Sequence, residues 1–247
     1  MRIAAIYDIH GNLPALEAVL QDIRRVEVDL IVVGGDVLPG PMPRETLKCL
    51  LDLEIPVQFI RGNGEREVLA IMSDSEATIP EQFREVMRWS AAQLHPEDGQ
   101  LLGSWPQTVC IHLGGVGDVL FCHATPRSDT EVFTRLTPEQ NLLPIFEGLH
   151  VSLVICGHTH MQFDRTIGKV RVVNAGSVGM PFGKPGACWL LLTPDVELRH
   201  TSYDFTKAAA RIRATDYPQR QDFANRNVLQ PPSEEEILKA FTKGELG

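Results

Sequence analysis

Five apolar runs in this chain stop at side chains that bind metals, and that recurrence limits the fold more than any single motif does. IAAIYDIH delivers Asp8 and His10, LIVVGGD delivers Asp36, VQFIRGN delivers Asn63, VLFCH delivers His123, and SLVICGHTH delivers His158 and His160. Each alone has a plain structural reading: an Asp–His hydrogen bond in a loop, a Gly-Asp turn, an Asn helix cap, or a histidine satisfied by backbone. In an open α/β sheet, however, the loops beyond the carboxyl ends of the strands gather side chains that are far apart in sequence. Five such ends predict one site that draws on all seven residues.

The first part of the chain alternates as β-α-β-α-β. Arg2 to Tyr7, Leu30 to Val33 and Val57 to Ile60 read as strands. Between them, Pro14 to Val26 carries Leu16, Val19, Leu20 and Ile23 at helical spacing, and Arg44 to Leu53 carries Leu47, Leu50 and Leu51. This alternation predicts a parallel sheet covered on both faces. Glu65 to Trp105 reads as a mainly helical insert. A stretch opening at Pro80 turns Phe83, Val86, Met87 and Leu94 toward the core and Arg84, Glu85 and Arg88 toward water. A hairpin follows, Val109 to Leu113 and Val119 to Cys122 around the turn GGVGD. Next come a helix at Pro138 to Leu149 and strands at Val151 to Cys156, Gln162 to Ile167, Val170 to Val173 and Ala187 to Leu192. The chain thus divides into a domain over 1–204 and a polar, helix-compatible C-terminal appendage over 205–247, with Ser233 as the N-cap of an acidic helix start.

A length of 247 residues suits one α/β domain with appendages. The 43% hydrophobic and 22% charged residues are those of a globular chain and favour neither a disordered nor a fibrous one. A net charge of -9 argues against non-specific binding to duplex nucleic acid, which needs many Lys and Arg on phosphates; a small phosphoester or nucleotide is the partner left open. No window approaches the ~18 to 20 apolar residues of a membrane span, and the N-terminus carries no signal-like apolar region. Five cysteines without a C-x-x-C pair read mostly as small buried hydrophobes in a reducing compartment, so a cytoplasmic location is expected.

Three oxygen donors and four imidazoles are too many for one tetrahedral ion. They suit two ions at about 3.5 to 4 Å that share a carboxylate. A mixed N/O set without thiolate suits Mn²⁺, Fe or Zn²⁺. D-x-H, then G-D, G-N, a histidine after an apolar strand, and G-H-x-H resemble, in this order, the calcineurin-like metallophosphoesterases. Among these the chain is most similar to the small bacterial and archaeal phosphodiesterases, over residues 1–200. The resemblance implies a four-layered α/β sandwich, two mixed β-sheets flanked by helices. It implies that Asp8, His10 and His160 hold one divalent cation and Asn63, His123 and His158 the other, with Asp36 bridging. Mn²⁺ is the first expectation; Fe, Zn²⁺ and Ni²⁺ are the alternatives. A water between two cations would lose its proton near neutral pH, because a bound cation pulls its pKa from about 15.7 toward ~7. The hydroxide would attack phosphorus in line while the cations neutralise the developing charge.

The chain departs from the family at one point. Many members carry G-N-H-[DE], whose histidine protonates the leaving group, whereas this chain reads GNGE with Gly64 in that place. No catalytic acid is assigned, unless His95, His112 or another group folds in. Diesters or pyrophosphate links with good leaving groups are therefore expected over alkyl monoesters, and a phosphodiesterase is the leading reading. A dinucleoside polyphosphate hydrolase or a phosphatase of the same fold is the alternative. A non-catalytic metal-binding scaffold or nucleotide sensor is the alternative of another class, and seven intact ligands weigh against the scaffold.

Substrate contacts are expected from Asn63, Asn12, Arg66 and Ser177. Asn12 also reads as the N-cap of LPALEAVL, and Arg66 equally as a surface residue at a helix start. Ser177 lies in NAGSVGMPF, which resembles the N-x-G-S loop of the family's active sites. The neighbouring GMPFGKP is not a P-loop: three residues rather than four separate its glycines, and it ends in Pro. Homo-oligomerisation stays open, as does whether 205–247 covers the site or an interface between subunits.

Overall fold

A strand buried on both faces reads as an unbroken apolar run, and β1 (Ile3–Ile6, IAAI) is buried at every position. The structure, a computed structural model, describes residues 1–75, 79 and 81–242. After β1 come α1 (Leu13–Val26), β2 (Leu30–Val33), α2 (Pro43–Leu51) and β3 (Val57–Phe59), and then three helices, α3 (Asn63–Met72), α4 (Glu81–Ala92) and α5 (Pro96–Ser104). The hairpin β4 (Thr108–Leu113) and β5 (Gly117–Cys122) leads to α6 (Glu139–Phe146), β6 (Leu153–Cys156), β7 (Phe163–Ile167), β8 (Val170–Asn174), β9 (Ala187–Leu192) and β10 (Val196–Thr201). Helices α7 (Phe205–Arg213) and α8 (Arg220–Phe223), a π-helical stretch Ala224–Leu229 and α9 (Glu234–Phe241) follow.

The strands form two five-stranded sheets, ordered β10-β9-β1-β2-β3 and β4-β5-β6-β8-β7. β1, β2 and β3 are parallel, as their alternation with helices predicts. The expected parallel sheet covered by helices on both faces is nonetheless corrected. β9 joins β1 antiparallel, β10 joins β9 antiparallel, and one face of the sheet rests on the other sheet. Side chains alternate across a strand, so Ile3 and Ala5 pack with Val32, Phe121, Ile155 and Val173 between the sheets. Ala4 and Ile6 pack on the opposite face with Leu16, Val19 and Ile23 of α1. Helices cover the outer faces, which completes four layers. An all-apolar strand does not encode which kind of layer will cover each face. β10 escapes prediction because VELRHT is largely polar; it is an edge strand held by full backbone pairing to β9, from Val196↔Leu192 to Thr201↔Ala187.

The region between β3 and β4 is helical as expected, and Val86 and Met87 of α4 are buried. Phe83, expected in the core, is 46% exposed, because its side of α4 borders a cavity instead. Pro80 lies outside the described residues. Most of the cysteines are expected to be buried, but only Cys122 and Cys156 are; Cys49 and Cys188 are half-buried and Cys110 is exposed on edge strand β4. No described helix is long and apolar enough to cross a membrane.

Candidate metal centre

β1, β2 and β3 run parallel in one sheet, and β5 and β6 run parallel in the other, so the loops after them gather at one end of the sandwich. Backbone geometry marks those loops. Among the described residues seven non-glycine residues have positive φ, and five of them are Asp8, His10, Asp36, His158 and His160, at +48° to +67°. This left-handed conformation costs an L-residue roughly 1–2 kcal/mol and persists only where its surroundings impose it. The two loops of the first sheet are stitched together: Asp8 N donates to Gly35 O (3.1 Å), His10 N to Asp36 O (2.9 Å) and Gly11 N to Val37 O (2.8 Å).

Two trios of donors result, Asp8 with His10 and His160, and Asp36 with His123 and His158. Within each, the ligating atoms lie within 4.8 Å of one another. The Nε2 atoms of His10 and His160 are 3.2 Å apart. Asp8 Oδ1 stands 3.4 Å from His160 Nε2 and 3.9 Å from His123 Nε2. Asp36 faces both trios, with Oδ2 3.8 Å from His10 Nε2 and Oδ1 3.5 Å from His123 Nε2. Asn63 Oδ1 lies 3.1 Å from His123 Nε2, which puts it with the second trio. All seven predicted ligands are thus brought together.

The arrangement fits divalent cations on its own chemistry. Asp8 Oδ1 is buried and has no hydrogen-bond partner, and such an orphan costs on the order of 1–3 kcal/mol or more. Two of the four imidazoles are turned by a backbone carbonyl. The Nδ1 atoms of His123 and His160 bond Gly34 O and Met180 O, both at 3.0 Å. That carbonyl takes the ring N–H and leaves the second nitrogen as a free donor facing the centre.

The calcineurin-like phosphoesterase superfamily domain matches residues 1–196. The chain belongs to this family. MJ0912 of Methanocaldococcus jannaschii is 28% identical over 238 residues, covering 88% of this chain and 94% of the relative. Phosphodiesterase YfcE of Escherichia coli is 25% identical over 205 residues, covering 79% of this chain and 89% of the relative. A solved metallophosphoesterase from Sphaerobacter thermophilus superposes with a TM-score of 0.72 at 26% identity, covering 92% of this chain and 97% of that one. PH1004 from Pyrococcus horikoshii has the same fold, with a TM-score of 0.79 at 19% identity and coverage of 94% and 99%.

Electrostatics at the centre prepare the donors. Burial, together with the charge of a neighbouring imidazole, lowers His10 and His158 to about 3, so both are neutral, as ligands must be. Burial alone would raise Asp8, but His160, His123 and His10 around it hold its carboxyl well below the usual range. Burial raises Asp36. His123 is raised despite its burial, because Asp36 and Asp8 face it. A cation at the centre would reverse these last two shifts, since its charge favours the carboxylate and the free imidazole.

Several supporting roles are not legible in the sequence. The buried Glu65 carboxylate accepts three backbone N–H bonds, from Asp36 (2.9 Å), Leu38 (3.1 Å) and Gly62 (2.8 Å), and so fixes the loop that carries Asp36. Asn174 donates to Gly157 O (2.6 Å) and Thr159 Oγ1 (3.1 Å) and braces the loop of His158 and His160. Gly64 N donates to Asp36 Oδ1 at 2.7 Å. A Cβ on Gly64 would fall 2.1 Å from Leu38 O, so this backbone has no room for the family's histidine.

The predicted substrate contacts divide. Asn63 borders a cavity of about 460 Å³ that also opens onto His10, Asp36, His158 and His160. Asn12 is buried as the N-cap of α1, with Nδ2 donating to Gly179 O (2.9 Å). Ser177 is buried as well; its hydroxyl donates to Asp8 O (2.7 Å) and accepts from Met180 N (2.8 Å). Both brace the centre from behind, and neither lines the cavity. Arg66 is engaged by Asp129 through Nε (2.6 Å) and Nη2 (3.3 Å), also off the cavity wall. His112 pairs with Asp118 on the exposed hairpin, and His95 opens α5; neither fills the place of a catalytic acid.

Proposed function

We propose that this phosphoesterase hydrolyses phosphodiesters at a two-cation centre. Asp8, His10 and His160 would hold one ion, Asn63, His123 and His158 would hold the second, and Asp36, which faces both trios, would be shared between them. The observation that carries this reading is the pair of donor trios with the Asp36 carboxylate between them. Two divalent ions, Mn²⁺ in the first place, would supply an activated water and neutralise charge at phosphorus. The neutral His10 and His158 bind without first losing a proton, and Glu65 keeps Asp36 in place through the loop backbone. Gly64 brings no proton to the leaving group, so the esters cleaved are those whose alcohol departs readily as an anion. This favours aryl or activated diesters over alkyl monoesters. The similarity to a phosphodiesterase of Escherichia coli supports the same preference. Five free cysteines fit a cytoplasmic setting.

The test is hydrolysis of an aryl phosphodiester and the matching aryl monoester by chelator-treated protein, with Mn²⁺, Mg²⁺, Zn²⁺ or no metal added, beside Asp36→Asn. Metal-dependent cleavage that favours the diester and disappears in Asp36→Asn is expected. Absence of turnover with every metal, in protein shown to be folded and loaded, overturns the hydrolase reading in favour of a binding role.

A further inference from the structure

A phosphate group between two cations needs only the donors described above, yet the cavity over them is of small-molecule size, within the roughly 300–1,000 Å³ typical of ligand pockets. Away from the donors the larger part of its wall is apolar, although Glu67, Gln219, Asp222, Arg226 and Asn227 also border it. Three segments distant in sequence build it: Phe83 and Met87 from α4, Phe182 from the loop after β8, and Tyr217, Phe223 and Ile237 from the C-terminal region. Phe83 is a large apolar side chain left 46% exposed at this wall. Solvated apolar surface that converges on a polar centre is the mark of a binding surface.

The wall is built into the fold. Tyr217, Phe223 and Val228 share a buried cluster with Val86 of α4 and Met42. Gly183 N donates to Pro232 O at 2.8 Å, and Arg135 pairs with Glu234 at 2.7 Å, so the C-terminal region is fastened to the domain beside the cavity. The fastening reaches the metal centre itself. Phe182, next to Gly183, stacks on the ring of His160 with centroids 5.5 Å apart and planes at 22°, and the same loop supplies the Met180 carbonyl that orients His160.

We propose that residues 217–237, together with α4, form a roof that selects phosphodiesters carrying an apolar, ring-sized substituent, seated against Phe83, Phe182 and Ile237 while phosphorus meets the cations. The proposal rests on the phosphodiester reading and adds its substrate class. It also gives the C-terminal region a task at the site. Phe83 and Ile237 are the side chains to truncate, because neither is fully buried and neither holds the core together.

The test uses the full, Mn²⁺-loaded chain and two singly charged diester analogues, phenyl phenylphosphonate and methyl methylphosphonate, titrated by calorimetry. The wild type binds the aryl analogue at least about 10-fold more tightly, and Phe83→Ala and Ile237→Ala each lose about 3- to 10-fold on that analogue alone, as expected for lost apolar contact. Leu51→Ala, an exposed leucine on α2, changes neither affinity. Cleavage of bis(4-nitrophenyl) phosphate and methyl 4-nitrophenyl phosphate, which share a leaving group, follows the same split in kcat/KM. Equal affinity of the wild type for the two phosphonates, or equal losses on both in the variants, overturns the roof. A binding split without cleavage of either ester retains the roof and overturns the hydrolase reading; cleavage without a split does the reverse.

Discussion

Replacing Glu65 by glutamine asks how far the Asp36 loop depends on one buried carboxylate. Oε2 accepts from both Asp36 N and Gly62 N, and Oε1 accepts from Leu38 N. A glutamine oxygen in the Oε2 position keeps two of the three bonds, but its amide then turns N–H toward the N–H of Leu38. One hydrogen bond to a charged group is lost, worth about 1.5–3 kcal/mol, and a buried donor is left unpaired. Relief of a buried charge acts the other way, since burial raises Glu65. The expected net loss is about 2 kcal/mol for Glu65→Gln and roughly twice that for Glu65→Ala, which strands all three donors. Against a typical stability of about 5–15 kcal/mol the alanine variant approaches unfolding. Urea denaturation of the chelated proteins reads these numbers. Calorimetric Mn²⁺ titration should show about 10- to 100-fold weaker binding, as for other residues that support ligands. Variants that unfold within about 0.5 kcal/mol of the wild type and bind Mn²⁺ equally well would refute the bracing role.

Gly64→Ala places a Cβ 2.1 Å from Leu38 O and 3.0 Å from Asp36 Oδ1, so a stability loss of at least about 2 kcal/mol is expected, with Gly64→His worse still. A Gly64→His protein of wild-type melting temperature that gains alkyl-monoesterase activity contradicts this. Ser177→Ala removes the bonds to Asp8 O and Met180 N. It should weaken Mn²⁺ binding about 10-fold and leave KM for a diester unchanged; a rise in KM alone would return Ser177 to the substrate contacts. His158 sits at about 3 in the fold, below its ordinary value of about 6.5, so below pH 6.5 the unfolded chain takes up a proton that the folded one refuses. Relative to His158→Gln, the chelated wild type should lose about 1.4 kcal/mol per pH unit from about 6.5 toward 3, and parallel urea titrations of the two proteins would exclude this.

The seven donors are legible in the sequence because each follows an apolar strand directly, and strand ends are a local pattern. β1 to β3 are legible for the same reason, through their alternation with α1 and α2. What is hidden depends on partners distant in the chain. IAAI does not reveal that Ile3 and Ala5 face a second sheet while Ala4 and Ile6 face α1. Asn12, Arg66 and Ser177 are of types that contact phosphate, but their polar atoms are taken by Gly179, Asp129 and Asp8, which only the folded geometry discloses. Glu65 stands in plain view in GNGE, yet its three N–H donors come from the β2 loop and from Gly62. One hint at the apolar wall is Phe182 within NAGSVGMPF, a large ring in a stretch of small residues.

The two-cation centre is tested most directly by anomalous diffraction at the manganese edge from crystals grown with Mn²⁺. Two peaks are predicted, one among Asp8, His10 and His160 and one among Asn63, His123 and His158, with Asp36 touching both. A single peak, or none in crystals of folded protein, would contradict it.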